Sequence, residues 1–178
     1  MSERDTDRYR RVGSDGRIRT DDRGFAHSHV RAVTYRSGIS KIVPGLYVGS
    51  KPPPGRHDGI DVIVLAAMEY QPPASLFSGA EVIYAPLDDA PTRPMRKDEI
   101  ALATKTATRV VRRLRAGLSV LVTCQLGMNR SALIAALAMH EVHGMSADEI
   151  IAILRRARGT WALSNPNFER LIRVVTSS

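Results

Sequence analysis

Cysteine is almost missing from this chain. Of 178 residues only Cys124 is one, which excludes an intrachain disulfide framework and any metal site built from several thiolates, and fits a reducing compartment. Lysine is scarce too: Lys41, Lys51, Lys97 and Lys105 are the only lysines among 26 basic residues. No apolar run approaches the roughly 20 residues of a membrane-spanning helix. Nor does an apolar stretch follow the basic N-terminal residues, as it would in a secretory signal. The expectation is a cytoplasmic protein with no membrane span. His27 and His29 have no third ligand near them and read as surface residues. His140 and His143, in or at the end of a helix, read as solvent-facing or hydrogen-bonded core.

What is present is ordinary for a globular chain of one domain: 43% hydrophobic and 25% charged residues. The formal charge is +8. Residues 1–40 hold nine arginines against six acids, so the positive excess is spread along the chain and not gathered in one tail. Such a surface suits anionic substrates, and a solvated arginine-rich exterior is the simplest reading. Nucleic acid is a possible but not favoured partner, and the oligomeric state is left open.

Along the chain, residues 1–38 are polar, rich in Arg and Asp, and without apolar periodicity; they read as a flexible arm, with an optional edge strand over Val30, Ala32, Val33 and Tyr35. A folded domain is expected over 39–178. Two short strands bend at Pro44 and Gly45, and apolar runs at 61–66 and 81–85 predict two more strands. Residues 86–94 hold three prolines and predict a loop. A helix over 97–116 has Ile100, Ala103, Ala107, Val110, Val111 and Leu114 on one face, acids in its first turn and arginines in its last. Then come a strand over 119–123, an Ala- and Leu-rich helix over 130–143, a capping box at Ser146 and Glu149 opening a third helix to 158, and Asn165 with Pro166 opening a fourth to 175. Strands alternating with helices, then a run of helices, predict an α/β fold: a central, mostly parallel sheet of four or five strands flanked by helices.

The chemistry gathers between the strand over 119–123 and the helix that follows. Cys124 stands at the strand's end, Arg130 six positions later at the helix mouth, and Ser131 next to it. Ligands of such sheets collect beyond the C-terminal strand ends. A helix N-terminus leaves amide N–H groups unpartnered, a curled loop aims more of them inward, and an arginine fork grips two oxygens of an anion. The same positive surroundings stabilise a thiolate, which is a nucleophile. A simpler reading of a lone cysteine is a small buried hydrophobe. Expulsion of an alkoxide or phenoxide needs a proton donor from another segment, and Asp88 and Asp89 follow the third strand on the same side of the sheet. As turn residues they can instead cap backbone amides.

The spacing Cys-x5-Arg-Ser, with Gly45 to Ser50, Ala85 to Asp89 and Asn165 to Phe168 in this order, resembles the cysteine-dependent protein tyrosine phosphatases, the dual-specificity kind above all, across roughly residues 39–175. The resemblance implies a fold of that kind and hydrolysis of phosphotyrosine, with phosphoserine or phosphothreonine in reach. It implies that Cys124 becomes a phosphocysteine and that Arg130 and the N–H groups of Gln125, Leu126, Gly127, Met128, Asn129 and Arg130 hold the phosphoryl oxygens. Ser131 helps the thiolate leave. Asp89 is the implied general acid and Asp88 the alternative. No cofactor or metal is implied, and the implied partner is a phosphorylated protein. The chain departs from the pattern at Thr123, where the family has His, and at Met128 and Asn129, where small residues are common. The alternatives are a non-catalytic phosphate-binding module, which Thr123 would mark, and a phosphatase of RNA ends or phosphoinositides. A loop without lysine weakens the phosphoinositide case. A rhodanese-like sulfur transferase ranks last, because its cysteine loop is shorter.

Overall fold

Proline and glycine at positions 44 and 45 end one strand and start the next. In the computed structural model, which describes residues 38–177, β1 (Ile39–Val43) and β2 (Leu46–Gly49) form an antiparallel hairpin with Gly45 at φ +77°. The arm at 1–37, its optional edge strand, His27 and His29 lie outside the described residues. Three further strands follow: β3 (Val62–Ala67), β4 (Glu81–Leu87) and β5 (Val120–Thr123). The order across the sheet is β1-β2-β5-β3-β4, and every pairing but β1 with β2 is parallel. All six residues of β3 and all four of β5 are buried, which is why β3, and β5 up to Thr123, read as apolar runs.

One boundary differs from the sequence reading. β4 continues through Pro86 to Leu87, where a loop was expected from residue 86. The reason is position: β4 is an edge strand, Pro86 is exposed, and the pairing with β3 is irregular between Leu65 and Ala67. A missing N–H costs little at an edge or a bulge.

Four α-helices complete the fold: α1 (Lys97–Arg115), α2 (Arg130–His143), α3 (Ala147–Arg158) and α4 (Pro166–Thr176). Ten consecutive residues of α2, Arg130 to Met139, are buried. A helix covered on every side must be central, and its alanines let neighbours approach closely. Val62, Val64, Val120 and Val122 share one core cluster with Ala132, Leu133, Ile150 and Phe168, while Ile63 and Leu65 join Phe77 in a smaller one. Alternation along β3 therefore feeds two cores. Among the described residues no helix is long and apolar enough to cross a membrane.

The register sets up everything downstream. Gly49 and Leu65 both pair with Thr123, and Ala67 pairs with Leu87. The strands β2, β3, β4 and β5 thus end at one edge, and Lys51, Glu69, Asp88, Asp89 and Cys124 all leave the sheet there. Leu133, fully buried in α2, is expected to cost about 2–5 kcal/mol when changed to Ala. Urea unfolding would show a lower midpoint at an unchanged slope.

Candidate active site

The loop after β5 is shaped by what grips its carbonyls. The Cys124 amide donates to the Gly49 carbonyl at 3.3 Å, and the Lys51 amide to the Gln125 carbonyl at 3.3 Å, so β2 accompanies the chain past the end of the strand. The backbone then turns at Gly127, φ +68°. Arg158, wholly buried at the end of α3, donates from Nε to the Gly127 carbonyl at 3.0 Å and from Nη2 to the Leu126 carbonyl at 3.1 Å; its Nη1 reaches the Gly38 carbonyl at 2.8 Å. In a trans peptide the C=O and the following N–H point in opposite directions. With both carbonyls drawn to Arg158, the amides of Gly127 and Met128 face away from it. Any Cβ on residue 127 would stand 2.6 and 2.7 Å from the Gly49 carbonyl atoms, so only glycine fits.

Cys124 is 3% exposed, and its Sγ lies 3.2 Å from Ser131 Oγ. Thr123, where a histidine would match the resemblance, is buried and donates its hydroxyl to the Val64 carbonyl on β3 at 2.9 Å. That side chain therefore ties strand to strand and leaves the loop to Arg158. α2 begins behind the cysteine with no acid in its first turn and no side-chain cap from Asn129. Its first amides are left for an anion.

Arg130 is 6% exposed. Glu69, just beyond β3, takes its outer fork: Oε1 accepts from Nη2 at 2.7 Å and Oε2 from Nη1. The Leu87 carbonyl accepts from Nη1 at 3.3 Å. A guanidinium carries five N–H donors. What remains is the inner edge, Nε and one N–H of Nη2, and among the described residues the buried Nε has no hydrogen-bond partner. That edge is a second fork suited to two oxygens of one anion. Burial works against the charge of Arg130, but the hydrogen bonds to Glu69 and the attraction of Cys124, Glu69 and Asp89 outweigh it, and its pKa is raised. In return Arg130 holds the Glu69 carboxyl below its ordinary value, against a smaller effect of burial.

The two aspartates after β4 have different neighbours. Asp88 accepts from the Asp89 amide at 2.7 Å and from Arg93 Nη2 at 2.7 Å. Asp89 turns toward the cysteine loop: its Oδ2 lies 3.8 Å from Arg130 Nε and accepts from Asn129 Nδ2 at 3.2 Å, and its Oδ1 accepts from Asn165 Nδ2 at 2.9 Å. The segment is firmly tied. Arg93 also pairs with Glu99 of α1 at 2.7 and 2.8 Å, and Asn167 donates to the Arg93 carbonyl at 2.8 Å. Cys124, Arg130, Ser131, Asp89 and the loop residues 125–129 are thus gathered at one edge, with Asp88 held one step aside by Arg93. Glu69, Arg158 and the meeting of Asn129 with Asn165 over Asp89 escaped the sequence reading, which had Asn129 only as a loop residue and Asn165 as the opening of the last helix. An acid just beyond a central parallel strand was a usable signal for Glu69. Arg158 sat in what reads as an ordinary basic last turn, and nothing local distinguishes it.

No protein-family model matches the chain, and no curated protein matches it by sequence. Solved structures do match in shape. Human DUSP28 is 20% identical with a TM-score of 0.64, over 80% of this chain and 97% of its own. OH1 from the Orf virus, a tyrosine phosphatase of triple substrate specificity, is 20% identical with a TM-score of 0.58, over 81% and 90%. A human tyrosine phosphatase-like serine/threonine/tyrosine-interacting protein is 19% identical with a TM-score of 0.62, over 80% and 97%. The fold is that of the cysteine-based tyrosine and dual-specificity phosphatases.

Two measurements probe this arrangement. Gly127→Ala, which drives a Cβ into the Gly49 backbone, is expected to remove about 1–3 kcal/mol of stability; an unchanged urea midpoint would mean that β2 and the loop part easily. Hydrogen bonding to Arg93, opposed by burial and helped by the Arg96 amide, lowers the Glu99 pKa from 4.5 to about 2. A depressed carboxyl stabilises fully above its unfolded value and loses that contribution as pH falls toward its folded one. The melting-temperature deficit of Glu99→Gln should therefore be larger at about pH 6 than at about pH 3, and an equal deficit at both would discount the charge.

Proposed function

We propose that the chain is a phosphatase that hydrolyses phosphate monoesters, phosphotyrosine foremost, through a phosphocysteine on Cys124. The observation that carries this is the buried Nε of Arg130, without a hydrogen-bond partner among the described residues and 3.8 Å from Asp89 Oδ2, on the residue preceding a serine whose hydroxyl meets the Cys124 sulfur. In this reading the phosphoryl group sits on that fork and on the loop amides. The Cys124 thiolate attacks phosphorus, the ester oxygen departs with a proton from Asp89, and the sulfur–phosphorus bond forms as the oxygen–phosphorus bond breaks. In the second step Asp89 takes a proton from water, the water oxygen attacks phosphorus, and the sulfur leaves as a thiolate steadied by Ser131. Inorganic phosphate is released. The departing thiolate and the oxyanions are met by fixed dipoles, which need no rearrangement.

Phosphotyrosine ranks above polyphosphorylated ligands on charge. The loop carries no lysine, and Glu69 already neutralises the outer fork of Arg130. What remains suits one phosphate group. A protein bearing phosphotyrosine, with phosphoserine or phosphothreonine as further targets, is the partner this implies.

With an aryl phosphate as substrate, Cys124→Ser should abolish turnover. Asp89→Asn should lower it by about 10²–10⁴-fold, far more than Asp88→Asn. Intact turnover in Cys124→Ser would sink the mechanism, and the opposite ranking of the aspartates would move the acid to Asp88. Phosphopeptide binding by wild-type protein without hydrolysis would replace the enzyme by a phosphate-binding module.

A further inference from the structure

Both oxygens of Asp89 are held by amide groups from different parts of the chain, and the orientation of each amide is dictated by a backbone donor. Asn129 Oδ1 accepts from the Asn165 backbone N–H at 3.2 Å and from Ser164 Oγ at 3.3 Å. A backbone N–H can only donate, so the atom facing it must be the oxygen, and the NH2 of Asn129 must face Asp89. Asn165 is fixed in the same manner. Its Oδ1 accepts from the Asn167 N–H at 3.0 Å, capping α4, and its NH2 is left for Asp89 Oδ1. Asn165 is 2% exposed. Asn129, in contrast, stands at the N-cap position of α2 and makes no capping bond, although asparagine is among the best N-caps. Its side chain is spent on Asp89 and α4 instead.

We propose that Asn129 and Asn165 are a positioning clamp for the general acid, locking the plane of the Asp89 carboxyl so that its free lone pair faces the ester oxygen before substrate arrives. This rests on the phosphatase reading above and on Asp89 as its acid. Each carboxyl oxygen offers two lone-pair directions. The clamp occupies one on each oxygen, and the proton travels on one of the others. Because Asn129 adjoins Arg130, the phosphate grip and the proton donor are set by one stretch of backbone. The loop at 88–94 is thereby poised without a large closing motion.

Leaving-group dependence separates this role from simple support of the fold. A good leaving group departs without a proton, whereas a poor one depends on the acid. Asn165→Ser keeps an oxygen to cap α4 and removes the donor to Asp89. It should lower kcat/KM for phenyl phosphate by about tenfold or more and leave difluoromethylumbelliferyl phosphate nearly unaffected. Asn129→Asp keeps the acceptor for the Asn165 N–H and sets a second carboxylate against Asp89. Like charges raise a carboxyl pKa, so the alkaline limb of the kcat/KM profile should move up by about one pH unit. Equal losses on both esters, or no loss on either, would overturn the clamp while leaving the phosphatase standing, as would an unmoved alkaline limb. If Asn165→Ser lacks a folded thermal transition, the limb in Asn129→Asp decides alone. Wild-type protein without Cys124-dependent turnover would overturn both readings together.

Discussion

A single buried guanidinium sets the geometry of the cysteine loop. Arg158 sits at 0% exposure and spends donors on the carbonyls of Leu126 and Gly127. Each of those bonds fixes the direction of one peptide plane. Charge-assisted bonds of this kind are shorter and stronger than neutral ones, and breaking a buried set leaves an uncompensated charge. The loop is therefore held from behind by α3 and from the side by β2, where Gly127 presses on Gly49. The amides of Gly127 and Met128 are thereby turned away from Arg158.

A second guanidinium works from the front under the opposite arrangement. Arg130 has its outer fork neutralised by Glu69, while its Nε makes no hydrogen bond among the described residues and lies 3.8 Å from Asp89 Oδ2. Burying a cation is expensive unless it is paired, and Glu69 supplies the pairing without taking Nε. The half-exposed Glu69 carboxylate has a side-chain exposure of 49% against 8% for Arg130, so the pair spans the boundary between water and core. It holds the arginine rigid, as the phosphate grip proposed for it requires if orientation is to be settled in advance.

Much of this was legible in the chain. Val120 to Val122 of β5 and Ala132 to Met139 of α2 were visible because both stretches are buried all round and so are apolar all round. The spacing from Cys124 to Arg130 placed one at a strand end and the other at a helix start. The two aspartates could be assigned to one loop, yet their neighbours could not be told apart, since Arg93 and Asn165 come from segments 5 and 76 residues away from their respective partners. Pro86 misled because proline was read as a stop, when its tolerance depends on whether the strand lies at the edge of the sheet.

By itself the sequence determined the local and periodic features: which runs are strands, which faces of helices are apolar, where caps and turns fall, and which residues have nucleophilic or acidic chemistry. These follow from interactions within a few residues. Tertiary structure alone decided that Glu69 would occupy one fork of Arg130, that Arg158 would turn from solvent to the back of the loop, and that Asn129 and Asn165 would meet over Asp89. Those contacts join residues 31 to 76 positions apart. Their distances are set by sheet register and helix packing, which no local pattern encodes.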